Sequence, residues 1–269
     1  MNPFVFACIA PHGGEIIPEL QGSNKERMGV TRENMWKLGG YMLESNPDCL
    51  IVVTPHGTRI NGRFSIADSE RMEGCVEENE SIFKMERRVA RELARSINET
   101  AQKAGLASST INYGTSEGAF SCLPLDWGAI VPLRFMPEVP VVIITPSREL
   151  SFEHHVEFGK VLRESVLQQG GRAGLIASCD WAHAHDRMGP YGFDPAAEQM
   201  DEKVVELIKT NQLEKMSEFP ADFIDAAKPD GIWQTLILAG AIPPDERNME
   251  FLSYEVPTYF GLICAAYHA

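Results

Sequence analysis

Residues 49–57 read "CLIVVTPHG". Five apolar residues, two of them valines, pass through a threonine into Pro-His-Gly. The run is too short for a helix, rich in β-branched side chains and stopped by turn residues, as expected of a strand buried on both faces of a sheet. Three other runs have the same character: "FVFACIA" (4–10), "VPVVIIT" (139–145) and "AGLIAS" (173–178). Longer amphipathic stretches lie between them. This alternation predicts an α/β fold, three layers α/β/α around a central mostly parallel or mixed sheet.

The helices are read from apolar spacing and capping signals. In "ENESIFKMERRVARELARSINETAQKAG" Ile82, Met85, Val89, Leu93 and Ile97 recur every three or four positions, and Gly105 closes the pattern. "SFEHHVEFGKVLRESVLQQGG" offers Ser151 as N-cap, and "FDPAAEQMDEKVVELIKT" offers Asp194 at the N-cap with Pro195 following. "TRENMWKLGGYMLES" and "PDGIWQTLILAGA" are two further candidates, and the loop-rich stretch 57–78 is expected to hold a short hairpin. No internal repeat or long linker interrupts the pattern, so one domain over 1–269 is expected.

Composition excludes several function classes. A net charge of −14 with no Lys/Arg-rich run speaks against a nucleic-acid partner, which would need a basic patch. No apolar run reaches the length that spans a bilayer, so no membrane association is expected. The six cysteines form no CxxC pair, as expected of reduced thiols in a cytoplasmic protein.

The histidines carry the chemistry. Of seven, His12 follows the first apolar run, His56 the second, and His183 and His185 follow "GLIASCDWA". Ligands of α/β sheets bind beyond the carboxyl ends of the strands, so these histidines are expected on one rim. A single histidine after a strand is ordinarily a turn residue; several, two of them in Pro-His-Gly, suggest a metal site. His154 and His155, early in a polar helix, read as surface residues. Two imidazoles and one carboxylate form the facial triad of non-haem Fe(II) enzymes, which leaves positions open for substrate and oxygen. Glu15, Asp126, Asp180 and Glu255 are candidate carboxylates. Glu255, in the apolar stretch "FLSYEVPTYFGLICAAY", is the sharpest, because a carboxylate there is costly to bury unless it is paired or metal-bound. Asp126 also suits turn amides, Asp180 the orientation of a histidine, and Glu15 a helix start.

With "PHGG" (11–14), "VVTPHG" (52–57), "LDWGAIVPL" (125–133), "ASCDWAHAHD" (177–186) and "YEVPTYF" (254–260) in this order, the chain resembles the catalytic subunit of the class III extradiol ring-cleavage dioxygenases over nearly its whole length. The resemblance implies Fe(II) held by His12, His56 and Glu255, with zinc or another divalent ion as an alternative occupant. It implies His183 as the acid–base residue, and a small aromatic diol and O2 as substrates. Asp180, His185, Tyr191 and Trp127 are expected around the substrate. Trp127 stands where many members of the family carry a histidine, and an indole donates one hydrogen bond but moves no proton. Self-association or a small partner subunit would also follow from the resemblance. Two alternatives use the same scaffold: a metal-binding protein without ring cleavage, as in the related mediator-of-cell-motility (Memo) group, and a zinc-dependent hydrolase with His183 as base.

Overall fold

A computed structural model describes residues 2–269. The elements, in chain order, are β1 (Phe4–Ala10), α1 (Gly29–Glu44), β2 (Cys49–Val53), β3 (Phe64–Ala67), β4 (Arg71–Glu78), β5 (Ser81–Arg88), α2 (Arg91–Lys103), β6 (Ser108–Ile111), β7 (Cys122–Pro124), α3 (Trp127–Leu133), β8 (Val141–Thr145), α4 (Phe152–Gln169), β9 (Ala173–Ser178), α5 (Ala196–Lys209), α6 (Ala221–Ala227), α7 (Ile232–Ala241), β10 (Met249–Glu255) and β11 (Leu262–His268). All four apolar runs read from the sequence are strands.

Eight strands form one mixed sheet in the order β10-β11-β1-β9-β2-β8-β3-β6. The four strands at its centre, β1, β9, β2 and β8, run parallel to one another. The C-terminal hairpin adds two antiparallel strands beyond β1, and β3 returns antiparallel beside β8. Alternate residues of the central strands enter two separate cores. Ile9, Ile51, Val53, Ile144 and Leu175 pack with α2, α4, α5 and α7 on one face. Cys8, Leu50, Val52, Ile143 and Ile176 pack with α1 and α3 on the other. The sheet is thus the middle of three layers, and burial on both faces explains why its strands are apolar without alternation.

Two expectations fail locally. Residues 81–88 are not helical: they form β5, paired antiparallel with β4 through a turn at Asn79 and Glu80, both at positive φ. Such a two-residue turn matches the twist of a hairpin and overrides the helix-like spacing of Ile82, Met85 and Val89. The helix expected there begins only at Arg91. His155 is not on the surface. It is fully buried on α4, its ring edge against Phe64 of β3, and its Nδ1 donates to the Ser151 carbonyl at 2.7 Å. Ser151 caps α4 as expected, its side chain accepting from His154 N. Among the described residues, no helix is long and apolar enough to cross a membrane, and all six cysteines are free.

Candidate metal centre

The four parallel strands all end at the same rim of the sheet, and each delivers a polar residue just beyond its last rung. His12 follows β1, His56 follows β2, Asp180 and His183 follow β9, and Arg148 follows β8. Asp230 joins them from the loop that enters α7. Gly231 permits the approach, since a Cβ there would lie 2.7 Å from Cys179 Cβ.

His12, His56 and Asp230 converge. His12 Nε2 is 3.1 Å from His56 Nε2 and 3.3 Å from Asp230 Oδ2, and His56 Nε2 is 3.5 Å from the same oxygen. The partners of His12 decide its tautomer. Ser178 Oγ donates to the Gly128 carbonyl, so it accepts from His12 Nδ1 at 2.9 Å, and His12 Nε2 is left as a lone pair. Asp230 Oδ1 accepts the Asp180 amide at 2.9 Å, which leaves Oδ2 facing the histidines. His12 Nε2 and Asp230 Oδ2 thus face one another as acceptors, with His56 Nε2 beside both, an arrangement that a cation among them would satisfy. Donors that share one ion at about 2.0–2.2 Å stand roughly this far apart. Two imidazoles and one carboxylate also form a donor set that suits Fe(II), zinc and related divalent ions. His12, His56 and Asp230 are therefore the residues that could hold a metal.

Asp180 serves this group from behind. Its Oδ1 accepts the His12 amide at 2.8 Å, and its Oδ2 lies 3.5 Å from His12 Nε2. Burial raises the Asp180 carboxyl above its usual range despite nearby His12. Burial would raise Asp230 too, but His12 outweighs it and holds that carboxyl below the usual range. Burial works against charge on His12, yet Asp180 and Asp230 lift its imidazole from 6.5 to about 9. Without a metal, a proton is the cation this cluster attracts.

His56 is supported on both sides. The Trp127 indole, 47% exposed at the start of α3, stacks on its ring with centroids 4.1 Å apart and planes 23° apart. Thr54, two residues earlier, donates to Asp126 Oδ1 at 2.6 Å, and the same oxygen caps α3 by accepting Ala129 N. His183 is also fixed in one tautomer: its Nδ1 lies 2.8 Å from the Lys228 carbonyl and so carries the proton, which leaves Nε2 as acceptor. Its ring lies between Phe260, stacked at 5.5 Å, and Tyr191, edge-on at 5.6 Å. His56, His183 and Tyr191 line two clefts of about 620 and 640 Å³, the first also lined by Asp230 and the second by His12.

Two expected site residues lie elsewhere. Glu255, at the end of β10, is not in the His12–His56 group. Its Oε1 accepts Thr31 N at 2.7 Å in the first turn of α1. The partner that makes its partial burial tolerable is a helix N-terminus. His185 turns away to Asp201, Nε2 to Oδ2 at 2.8 Å, where Tyr254 Oη also donates. Glu15 pairs with Arg27 at 3.0 Å. Sequence reasoning missed Asp230 and Asp201. Asp201 is fully buried and its Oδ1 accepts Ala182 N, so it sets the loop that carries His183. The available signal for Asp230 was an acid followed by glycine at the mouth of a largely apolar helix, "PDGIWQTLILAGA".

Comparison with known proteins adds to this geometry. A family described as the catalytic LigB subunit of aromatic ring-opening dioxygenase matches residues 6–264. Protein CA_C1420 of Clostridium acetobutylicum is 25% identical over 252 residues, 92% of this chain, which spans only 54% of that protein's length. The 3,4-dihydroxyphenylacetate 2,3-dioxygenase of Escherichia coli is 25% identical over 264 residues, 90% of this chain and 91% of that protein. Among solved structures, an uncharacterized Escherichia coli K12 protein, JW3007, superposes with a TM-score of 0.61 over 97% of this chain and 99% of its own, at 15% identity. That last likeness is one of fold.

Proposed function

This chain belongs to the family of catalytic LigB subunits of aromatic ring-opening dioxygenases, and on that premise we propose that it is a non-haem Fe(II)-dependent extradiol dioxygenase acting on a catechol-like small aromatic. The observation that carries this reading is the convergence of His12 Nε2, His56 Nε2 and Asp230 Oδ2, two imidazole nitrogens and a carboxylate oxygen within 3.5 Å of one another. What a bound Fe(II) supplies is a common template for diol and dioxygen and a path for electrons between them. In the overall reaction both oxygen atoms enter the product and one ring carbon–carbon bond beside the diol breaks.

The side chains divide the remaining work. His12, His56 and Asp230 hold the metal. His183 Nε2 takes the proton of a substrate hydroxyl and returns one as the ring opens, the work of a general base and then a general acid. The Lys228 carbonyl keeps that nitrogen free to accept. Trp127 braces His56 and walls the site, and being an indole it leaves proton movement to His183. Tyr191 and Phe260 confine a flat ring beside His183.

The test is reconstitution with Fe(II) without oxygen, then exposure to a panel of catechols in air. Oxygen uptake matched by a coloured ring-opened product is expected for at least one catechol. If none consumes oxygen while Fe(II) is bound, the dioxygenase reading fails. A zinc-dependent hydrolase using the same three donors would show as activity retained with zinc and no oxygen uptake. His183→Gln is expected to keep the metal and lose about 10²–10⁴-fold in turnover, the usual contribution of a general base.

A further inference from the structure

One acid lies where its own helix calls for an apolar residue. The buried side chains of α5 are Ala196, Ala197, Met200, Asp201, Val204 and Ile208, the face that an amphipathic helix turns to the core. The Asp201 carboxylate is fully buried on that face, and among the described residues no lysine or arginine reaches it. A charge buried in this way is costly, so its partners indicate what it is kept for.

Three donors meet it. Ala182 N donates to Oδ1 at 2.9 Å, while His185 Nε2 and Tyr254 Oη donate to Oδ2 at 2.8 and 3.0 Å. Burial first, and then the Asp201 carboxylate, raise the Tyr254 phenol well above its usual range, so this hydroxyl remains a donor. Gly261 makes room for the group, since a Cβ there would run into Asp201 Oδ2. The surrounding segments are also joined to one another. Trp181 N donates to the Gly261 carbonyl at 2.9 Å, Gly261 N to the Ala182 carbonyl at 3.0 Å, and His185 N to the Tyr259 carbonyl at 3.3 Å. His185 pairs with Phe193 in an antiparallel bridge, and Asp194 N donates to the Ala184 carbonyl at 2.9 Å, which closes the loop that bears Tyr191.

Three supports of the His183 ring thus lead back to one carboxylate. Ala182 is its neighbour in the chain. Phe260, stacked on the ring, precedes Gly261, and Tyr191, edge-on to it, belongs to the loop anchored at His185. We infer that Asp201 is a positioning residue for His183, fixing from inside the fold the direction in which His183 Nε2 points. The catalytic consequence rests on the ring-cleaving reading of the metal centre; the positioning itself does not. A misplacement of about 1 Å costs a reaction about a hundredfold, so a support of this kind matters without touching the substrate.

Histidine tautomers test the assignment without any substrate. Nitrogen-15 NMR is recorded on histidine-labelled, zinc-loaded protein. Wild type should show His183 with its proton on Nδ1 and His185 with a proton on Nε2. Asp201→Ala, first shown to be folded, should leave His183 exchanging between both tautomers. Asp201→Asn keeps an oxygen for Ala182 N and should restore the single tautomer of His183, with His185 turned to the opposite one. Tyr254→Phe removes a donor from the same carboxylate on β10; it should lower the urea midpoint and leave His183 as in wild type. A mixture of tautomers at His183 in wild type, or no proton on His185 Nε2, would overturn the assignment, and neither result needs a variant to fold. A folded Asp201→Ala that loses stability with His183 unchanged would overturn it too, as would a Tyr254→Phe that disturbs His183 equally. With a catechol that wild type cleaves, Asp201→Ala should lose at least about tenfold in kcat while KM stays within about twofold. The expected tautomers with no catechol cleaved by wild type would uphold the positioning and overturn the dioxygenase reading. Cleavage by wild type with His183 unchanged in Asp201→Ala would do the reverse.

Discussion

At the scale of single residues, the centre is defined by which nitrogen of each histidine is free. Ser178 Oγ accepts a hydrogen bond from Nδ1 of His12 and the Lys228 carbonyl accepts one from Nδ1 of His183, so each of these rings offers Nε2. The carboxylates around His12 then create a competition. Against the pull of burial, Asp180 and Asp230 raise its imidazole from 6.5 to about 9, which favours a proton there in the metal-free protein. A metal must displace that proton. Fe(II) or zinc affinity is therefore expected to rise about tenfold per pH unit as pH approaches 9 and to level off above it. Calorimetry in buffers of different ionisation enthalpy should show close to one proton released per metal at pH 7.5; no release would contradict the assignment. His12 and His56 were legible in the sequence because each ends an apolar run at a sharp turn. Asp230 was not, because its approach to them depends on how the α7 loop folds back over β9. Glu255 misled because burial of a carboxylate has more than one remedy, and a helix N-terminus remote in sequence supplied it.

At the scale of elements, the position of the third metal candidate depends on how closely α7 packs. Gly240 on α7 lies against α4 so tightly that a Cβ would meet the Val156 carbonyl oxygen at 1.9 Å. Gly240→Ala must push the helices apart, and the expected cost is about 1–3 kcal/mol of stability. Because Asp230 precedes α7 by two residues, metal affinity should fall together with the urea midpoint. Unchanged affinity in a destabilised variant would show that the loop is anchored independently of the helix. The α4–β3 contact gives a pH effect. Burial lowers the His155 imidazole from 6.5 to about 4. Between those values the unfolded chain binds the extra proton, so stability falls as pH drops from about 6.5 toward 4, by up to about 3 kcal/mol. His155→Leu should flatten that part of the pH–stability curve, measured as urea midpoints at pH 7.5 and 5, relative to wild type. Reading His155 as exposed followed from its polar neighbours in the sequence; the face of α4 it occupies is set by the sheet beneath. The strand at 81–88 was hidden for a related reason: its turn uses Asn79 and Glu80 rather than glycine, so no hairpin signal marked it.

At the scale of the whole molecule, the layers were legible but the sheet order was not. Strands buried on both faces and separated by helices imply helices above and below. The order β10-β11-β1-β9-β2-β8-β3-β6 depends on pairings between residues far apart in the chain, such as β1 with β9, which no local pattern encodes. That order nevertheless makes the site: it sets β1, β9, β2 and β8 side by side and parallel, so their carboxyl ends meet on one rim. The most direct test of the metal centre is an anaerobic Fe(II) titration of three proteins, wild type, Asp230→Asn and Glu255→Gln, each first shown to be folded. Wild type and Glu255→Gln should bind one Fe(II) per chain with similar affinity, while Asp230→Asn should lose at least about a hundredfold, since it removes a ligand and not merely a ligand's support. Loss of Fe(II) by Glu255→Gln together with full binding by Asp230→Asn would contradict the centre described here.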